Sequence, residues 1–239
     1  MAFEWTPDMI RFLEDAAGQT GYYRLLQTQL AAMLPPEAHV CDMGCGLGHL
    51  AELLAECFPR VTAIDRSAAA IDAFRSRLPQ PPSQLEILCA DAFSLPAEFR
   101  CAAMVFCYFG SLRDILTLAR RHCTGEVVII RRNELRHLFD LDGSLRQSPT
   151  LAQTLERLRG LGICAEVTTH EIEFGQPLRS QADAVRFFSL YRRDPGAEIV
   201  FSQLAPLLEQ TGDPVFPYYH RQQKRIAIVR FPAAQIPPL

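Results

Sequence analysis

Residues 39–48 read His39-Val-Cys-Asp42-Met-Gly44-Cys45-Gly46-Leu-Gly48, a short apolar run that closes on an acid and turns through three glycines. Such a run is a buried strand, and glycines spaced by two admit backbone angles that other residues resist. The turn leads into a helix over Leu47 to Cys57. There Leu50, Leu53, Leu54 and Cys57 recur at i, i+3, i+4 and i+7, the stripe of a helix lying on a sheet. A second strand follows at Val61 to Ile64, then a helix capped by Ser67 and striped by Ile71, Phe74 and Leu78. Further apolar runs at Leu85 to Cys89, Ala102 to Cys107 and Val127 to Ile130 supply three more strands. Between the last two, Ser111 caps a helix presenting Leu112, Ile115, Leu116 and Ala119. Short, continuously apolar strands separated by helices predict a parallel sheet covered on both faces, a doubly wound α/β fold.

Upstream, Thr6-Pro7-Asp8 supplies an N-cap, a first-turn proline and an acid at the positive end of a helix. A second helix runs from Tyr22 and stops at Pro35-Pro36. Downstream, a helix from Thr150 to Leu161 leads to a strand-like run from Ile163 to Phe174. Helical patterns follow at Gln181 to Arg192 and Ile199 to Gln210, then a last strand at Arg225 to Phe231. If the last two strands pair, the sheet has seven strands, mostly parallel. The expected organisation is a single domain over 1–239, with a helical cap at 1–35 and a core at 36–175 and 225–231. The helical insertion at 176–224 is a second part of the cap. The proline-rich tail from Pro232 reads as a frayed end.

The chain has 239 residues, 49% hydrophobic and 21% charged, with a formal net charge of −3. That balance suits a globular protein and gives no global attraction to polyanions, which disfavours nucleic acid as a partner. The eight cysteines fall mostly in or beside apolar strands, contain no CxxC pair and lack zinc-finger spacing, so they read as reduced core thiols with no metal site. Glu4, Asp8 and Arg11 interrupt any signal peptide, and no apolar run has the length of a membrane span. The expectation is a cytoplasmic protein.

The strand-acid-glycine segment resembles motif I of class I S-adenosylmethionine (SAM)-dependent methyltransferases, whose usual form is (D/E)-x-G-x-G-x-G. The nicotinamide-binding fingerprint G-x-G-x-x-G competes, but here the third glycine arrives one residue early. A carboxylate at Asp42 would also repel a pyrophosphate while attracting the amino group of a methionine moiety. The resemblance implies SAM as cofactor and S-adenosylhomocysteine (SAH) as product. It also implies a grip on the methionine moiety by Asp42, Gly44, Cys45, Gly46 and Gly48. Asp65, with Arg66 beside it, falls where the family's acid accepts both ribose hydroxyls. Asp91 falls where the adenine amino group is read, with Ala92 offering a backbone N–H and Ala90 or Phe93 packing on the ring. Read from the residues alone, each acid could instead cap the helix that follows. Cys107, at the family's motif IV position, would line the sulfonium side through its carbonyl. Tyr108 is the candidate for orienting substrate, with simple packing as the alternative. Tyr22 and Tyr23 are candidates to close over the cofactor's carboxylate, against a core-facing Tyr22.

The (D/N/S)-P-P-(Y/F) signature of base-amine methylation is absent after the fourth strand. Arg131, Arg132 and the cluster Tyr218-Tyr219-His220-Arg221 could gather an anionic substrate. Solvated charge is the default for Arg120-Arg121 and Arg192-Arg193. Phe187, Phe188 and Tyr191 read as core more readily than as substrate contacts, and His49 as structural. These features imply a methyltransferase acting on a small-molecule acceptor. The alternatives are an RNA or protein methyltransferase and a non-catalytic SAM-binding protein. No membrane partner is expected, and a homodimer is left open.

Overall fold

A computed structural model describes residues 4–133, 150–191 and 199–238. The helices α1 (Pro7–Gln19) and α2 (Tyr22–Met33) precede an alternating run: β1 (His39–Met43), α3 (His49–Leu54), β2 (Arg60–Asp65), α4 (Ala68–Arg77), β3 (Leu85–Cys89), β4 (Cys101–Cys107), α5 (Leu112–His122) and β5 (Cys123–Arg132). Then come α6 (Leu151–Gly160), β6 (Glu166–Glu173), β7 (Gln176–Leu178), α7 (Gln181–Ser189), α8 (Phe201–Leu204), β8 (Glu209–Gln210), β9 (Tyr218–His220) and β10 (Gln223–Pro232). The expected end of one helix at Arg192, and the pair Arg192-Arg193, lie outside the described residues.

The main sheet has seven strands in the order β3-β2-β1-β4-β5-β10-β6. β1 pairs in parallel with β2 and β4, while β10 runs antiparallel to β5 and to β6, with Ile228 opposite Ile130 and Thr168. The chain reverses its direction of winding between β1 and β4. The carboxyl ends of those strands therefore splay apart and leave a crevice, as in other doubly wound folds.

Alternation along the strands divides the core between the faces. Val40, Val105, Ile130 and Ile228 pack with Leu26, Leu30, Leu50 and Leu54 on one side. Cys41, Met104, Ile129 and Val229 pack with Ile115, Leu116 and Leu158 on the other. Each fully buried aliphatic side chain contributes roughly 1.5–3 kcal/mol, so the two layers hold the sheet rigid beneath the crevice. The helix starts follow the sequence chemistry. The Thr6 hydroxyl accepts from the Met9 N–H, and Ser111 and Asp114 form a reciprocal capping box at α5.

Two expectations need correction. The stretch Ile199 to Gln210 is not one helix. α8 stops at Leu204, Ala205–Leu207 form a 3-10 turn, and Glu209–Gln210 is a strand in a small sheet ordered β7-β9-β8. Pro206 explains the stop, because it removes an N–H and clashes with the preceding turn. The tail is not frayed either: Ala233–Gln235 form a 3-10 turn, Ala233 and Ile236 are buried, and Gln235 Oε1 accepts from the Cys164 N–H at 2.7 Å.

The insertion has its own apolar cluster, built on Leu178, Phe187, Phe188, Ile199 and Leu204, and Phe12 of α1 belongs to it. Arg11 reaches Asp183 at 2.5 Å, Arg179 reaches Asp15 at 2.5 Å, and Gln176 Nε2 donates to the Phe12 carbonyl at 3.1 Å. The N-terminal helix is thereby fastened to the insertion.

Candidate active site

The crevice opens into a cavity of about 990 Å³. Its floor is the glycine turn. The Gly44 and Cys45 N–H groups donate to the Ile64 carbonyl at 2.8 and 3.0 Å, tying the turn to the end of β2. Gly46 has φ +55, and its N–H donates to Asp65 Oδ2 at 2.9 Å. Asp65 Oδ1 accepts from the Ser67 N–H at 2.8 Å. The carboxylate therefore braces the turn as well as facing the cavity, a structural part that the sequence reading did not assign to it.

Gly48 has a different reason for lacking a side chain. At φ +76, a Cβ there would lie 2.0 Å from the Phe74 ring of α4. The third glycine thus serves helix packing, whereas Gly46 lies against the cavity with the Trp5 ring over it, 3.0 Å from where its Cβ would be.

Asp42 sits beneath this turn, 1% exposed, and its Oδ1 has no hydrogen-bond partner among the described residues. Burial, and then the neighbouring charge of Asp65, push its carboxyl up to about 7. Asp42, Gly44, Cys45, Gly46, Gly48, Asp65, Arg66, Asp91, Ala92, Phe93, Cys107 and Tyr108 all line the same cavity. Asp91 also accepts from the Phe93 N–H at 3.0 Å, so the capping role and a place on the wall coexist.

Tyr22 requires correction. It does not line the cavity; its ring is buried edge-on against Phe174 at 4.8 Å, and its hydroxyl shares a hydrogen bond with the Tyr108 hydroxyl at 2.8 Å. Tyr23 is the member of the pair on the cavity wall, stacked on His49 at 5.1 Å. His49 also lies 3.4 Å from Glu14 Oε2, though without hydrogen-bond alignment. Tyr108 has φ +57, the one non-glycine residue with positive φ among the described residues, and strain of this kind collects at functional sites. The Cys107 thiol is pushed up to about 12, chiefly by burial and then by Asp42, and stays protonated.

The cluster at Tyr218 to Arg221 does not reach the cavity. Tyr219 donates to Glu173 at 2.6 Å, and Arg221 pairs with Glu173 and Glu209. Arg131 and Arg132 do line it, as do Tyr191, Trp5, Phe109 and Lys224. Lys224 was missed although a signal exists: it shares the buried face of β10 with Ile226 and Ile228 at period two. Trp5 and Phe109 carry no pattern that separates them from ordinary apolar residues. Among the described residues no group of three His, Cys, Asp or Glu could hold a metal ion, and all eight cysteines are free.

A methyltransferase-domain model matches residues 40–128, the span from β1 into β5 that contains the glycine turn and all three acids. The matched stretch, 89 of the 239 residues, is similar to a methyltransferase domain. Trans-aconitate 2-methyltransferase of Paracidovorax citrulli (strain AAC00-1) is 42% identical over 78 residues, 32% of this chain and 28% of that protein. Ribosomal RNA small subunit methyltransferase A of Salinibacter ruber (strain DSM 13855 / M31) is 26% identical over 158 residues, 64% of this chain and 53% of that protein. The match thus covers less than two thirds of either relative's length. The structure of magnesium protoporphyrin IX methyltransferase from Synechocystis PCC 6803, solved with bound SAH, shares the fold. Its TM-score is 0.51 and its identity 14%, and the match covers 96% of this chain and 89% of that one.

The residues of the crevice fit SAM, the cofactor that the resemblance implies. An orphaned carboxylate oxygen under the glycine turn suits an ammonium group. Gly46 presents bare backbone on the cavity wall, with the Trp5 ring packed over it. No helix among the described residues is long and apolar enough to cross a membrane.

Proposed function

We propose that this chain transfers the methyl group of SAM to a small-molecule acceptor enclosed in the cavity. The observation that carries this reading is Asp42, a nearly inaccessible carboxylate with an unpartnered oxygen, aligned with Asp65 and Asp91 along one wall. Bound there, SAM supplies an electrophilic methyl on a positively charged sulfur. Asp42 pairs with the ammonium of the methionine moiety, Asp65 and Arg66 hold the ribose, and Asp91, Ala92 and Phe93 hold the adenine. The glycine turn with Cys45 bears on the methionine moiety, and the Cys107 carbonyl borders the reacting sulfur. Tyr108, held by its hydrogen bond to Tyr22, orients the acceptor.

A small acceptor is favoured because the cavity lies at the upper end of the roughly 300–1,000 Å³ typical of small-molecule sites, enough for cofactor and acceptor together. The trans-aconitate relative supports the same class. The 1–35 segment and the 176–224 insertion, fastened to each other through Arg11–Asp183, act as one cap that excludes water. The ribosomal RNA relative favours a second reading, an RNA acceptor. Binding measured at rising salt separates the two, since phosphate contacts weaken steeply as counterions compete.

Calorimetry with SAH tests the cofactor assignment. The expected dissociation constant is micromolar, about −8 kcal/mol. Heat with NADH and none with SAH would overturn it.

A further inference from the structure

The cavity is bipolar. Opposite the three acids, the wall contributed by the ends of β5 and β10 presents Arg131, Arg132 and Lys224. The β10–β5 register sets Ile226 beside Arg132, and Lys224 lies two residues before Ile226 on the same buried face. Its ammonium lies 4.2, 4.3 and 4.5 Å from the ring centroids of Tyr22, Phe174 and Tyr108, and the Arg132 guanidinium lies 5.5 Å from the Tyr108 ring. Two of these cations, Lys224 and Arg132, therefore flank the strained tyrosine.

The arginines differ from the other partly buried arginines among the described residues. Arg11, Arg77 and Arg230 each meet a carboxylate, in Asp183, Glu14 and Glu166 respectively. Arg131 and Arg132 form no ion pair among the described residues, and Arg131 Nη2 and Arg132 Nη1 are buried with no hydrogen-bond partner. Burial, then the nearby Arg157, hold the Arg131 guanidinium below its ordinary range. Buried N–H donors without partners, placed beside like charges, are costly in an empty cavity and become favourable when an anion enters.

From this geometry we infer that the acceptor is a carboxylate-bearing small molecule, docked by a carboxylate on Arg131 and Arg132 beside Lys224. This rests on the methyltransferase reading above and adds the acceptor's class. Guanidinium groups match the planar two-oxygen edge of a carboxylate, so either arginine can take both of its oxygens. The chemistry of the wall agrees. Hydroxyl and ammonium acceptors must shed a proton, yet among the described residues the ends of β5 and β10 offer no carboxylate or histidine to take it, and burial pushes the Tyr22 and Tyr191 hydroxyls up. A carboxylate has no proton to lose at neutral pH. Its oxygen lone pair forms the new bond to the methyl carbon, and the pair of the cleaved carbon–sulfur bond stays on sulfur. Anion and sulfonium become a neutral ester and a thioether.

The test is calorimetry on the full chain, first with SAH and then on the SAH-loaded protein with tricarballylate, an unreactive tricarboxylate. Its triamide, inorganic phosphate and a short RNA oligonucleotide serve as the other arms. Tricarballylate is expected to bind saturably and the triamide not at all. Arg131→Gln and Arg132→Gln should each weaken tricarballylate binding by about tenfold or more while leaving SAH affinity within about twofold. Arg132→Lys should recover part of that loss, and Arg60→Gln, on the exposed start of β2, should change neither. An unaltered SAH constant also certifies that each variant is folded. SAH binding with no tricarballylate binding would overturn the carboxylate inference and leave the cofactor reading intact. Tighter binding of phosphate or RNA than of tricarballylate, or variants as good as the native chain, would overturn it as well. Absence of SAH binding would sink both.

Discussion

Asp42 is the residue at which electrostatics and recognition meet. Without a ligand its carboxyl is held up to about 7, so the folded state retains a proton that the unfolded chain releases near the ordinary carboxyl value of 3.8. The sign follows from that retention. The folded chain binds more protons between those values, so stability is greatest below the lower one and declines as pH rises towards 7. The accumulated cost above pH 7 is on the order of 4 kcal/mol. Asp42→Asn should therefore be more stable than the native chain at pH 8 and nearly equal to it at pH 4, as measured by urea denaturation. Pairing with an ammonium requires the ionised form, so SAH affinity should rise between pH 6 and 8 in the native chain and stay flat in Asp42→Asn. A flat native profile would remove Asp42 from the ammonium contact.

At the scale of elements, the part of the molecule that was legible is the part whose side-chain spacing is dictated locally. β1 to β5 announce themselves as apolar runs because both faces are covered, and Asp42, Asp65 and Asp91 are legible because each ends or follows a strand at the crevice. The insertion was not legible in the same way. Its order comes from contacts distant in sequence, such as Phe12 against Phe187 at 5.0 Å, and its short strands pair only because β9 lies between β7 and β8. Tyr22 shows the same limit: helical spacing places it on a face, but the burial of its ring depends on Phe174, which arrives 152 positions later. The dependence of α1 on that distant cluster can be measured. Phe12→Ala should destabilise the protein by about 3–5 kcal/mol, the usual range for a buried phenylalanine. It should also weaken SAH binding, because Phe12, Trp5 and Met9 line the cavity. Loss of stability with an unchanged SAH constant would mean that α1 supports the insertion but does not help to close the site.

For the whole molecule, one rigid sheet presents two opposite charge environments at a single crevice, with acids on one wall and cations on the other. A net charge of −3 says nothing of this arrangement, because the sum over the chain conceals the separation. A ligand that reaches across β1, β2 and β4 should tie the glycine turn to the adenine end and favour the folded state by mass action. At about a hundredfold excess over its dissociation constant, SAH should add about 2.7 kcal/mol, raising the melting temperature by roughly 5–10 °C for a chain of this size. NADH at equal concentration should produce no shift. Because Asp65 also pins Gly46, Asp65→Ala should lower the melting temperature of the unliganded protein and abolish most of the SAH-dependent rise. A variant that lost only the rise would confine Asp65 to ligand contact, and one that kept the rise in full would place the ribose elsewhere.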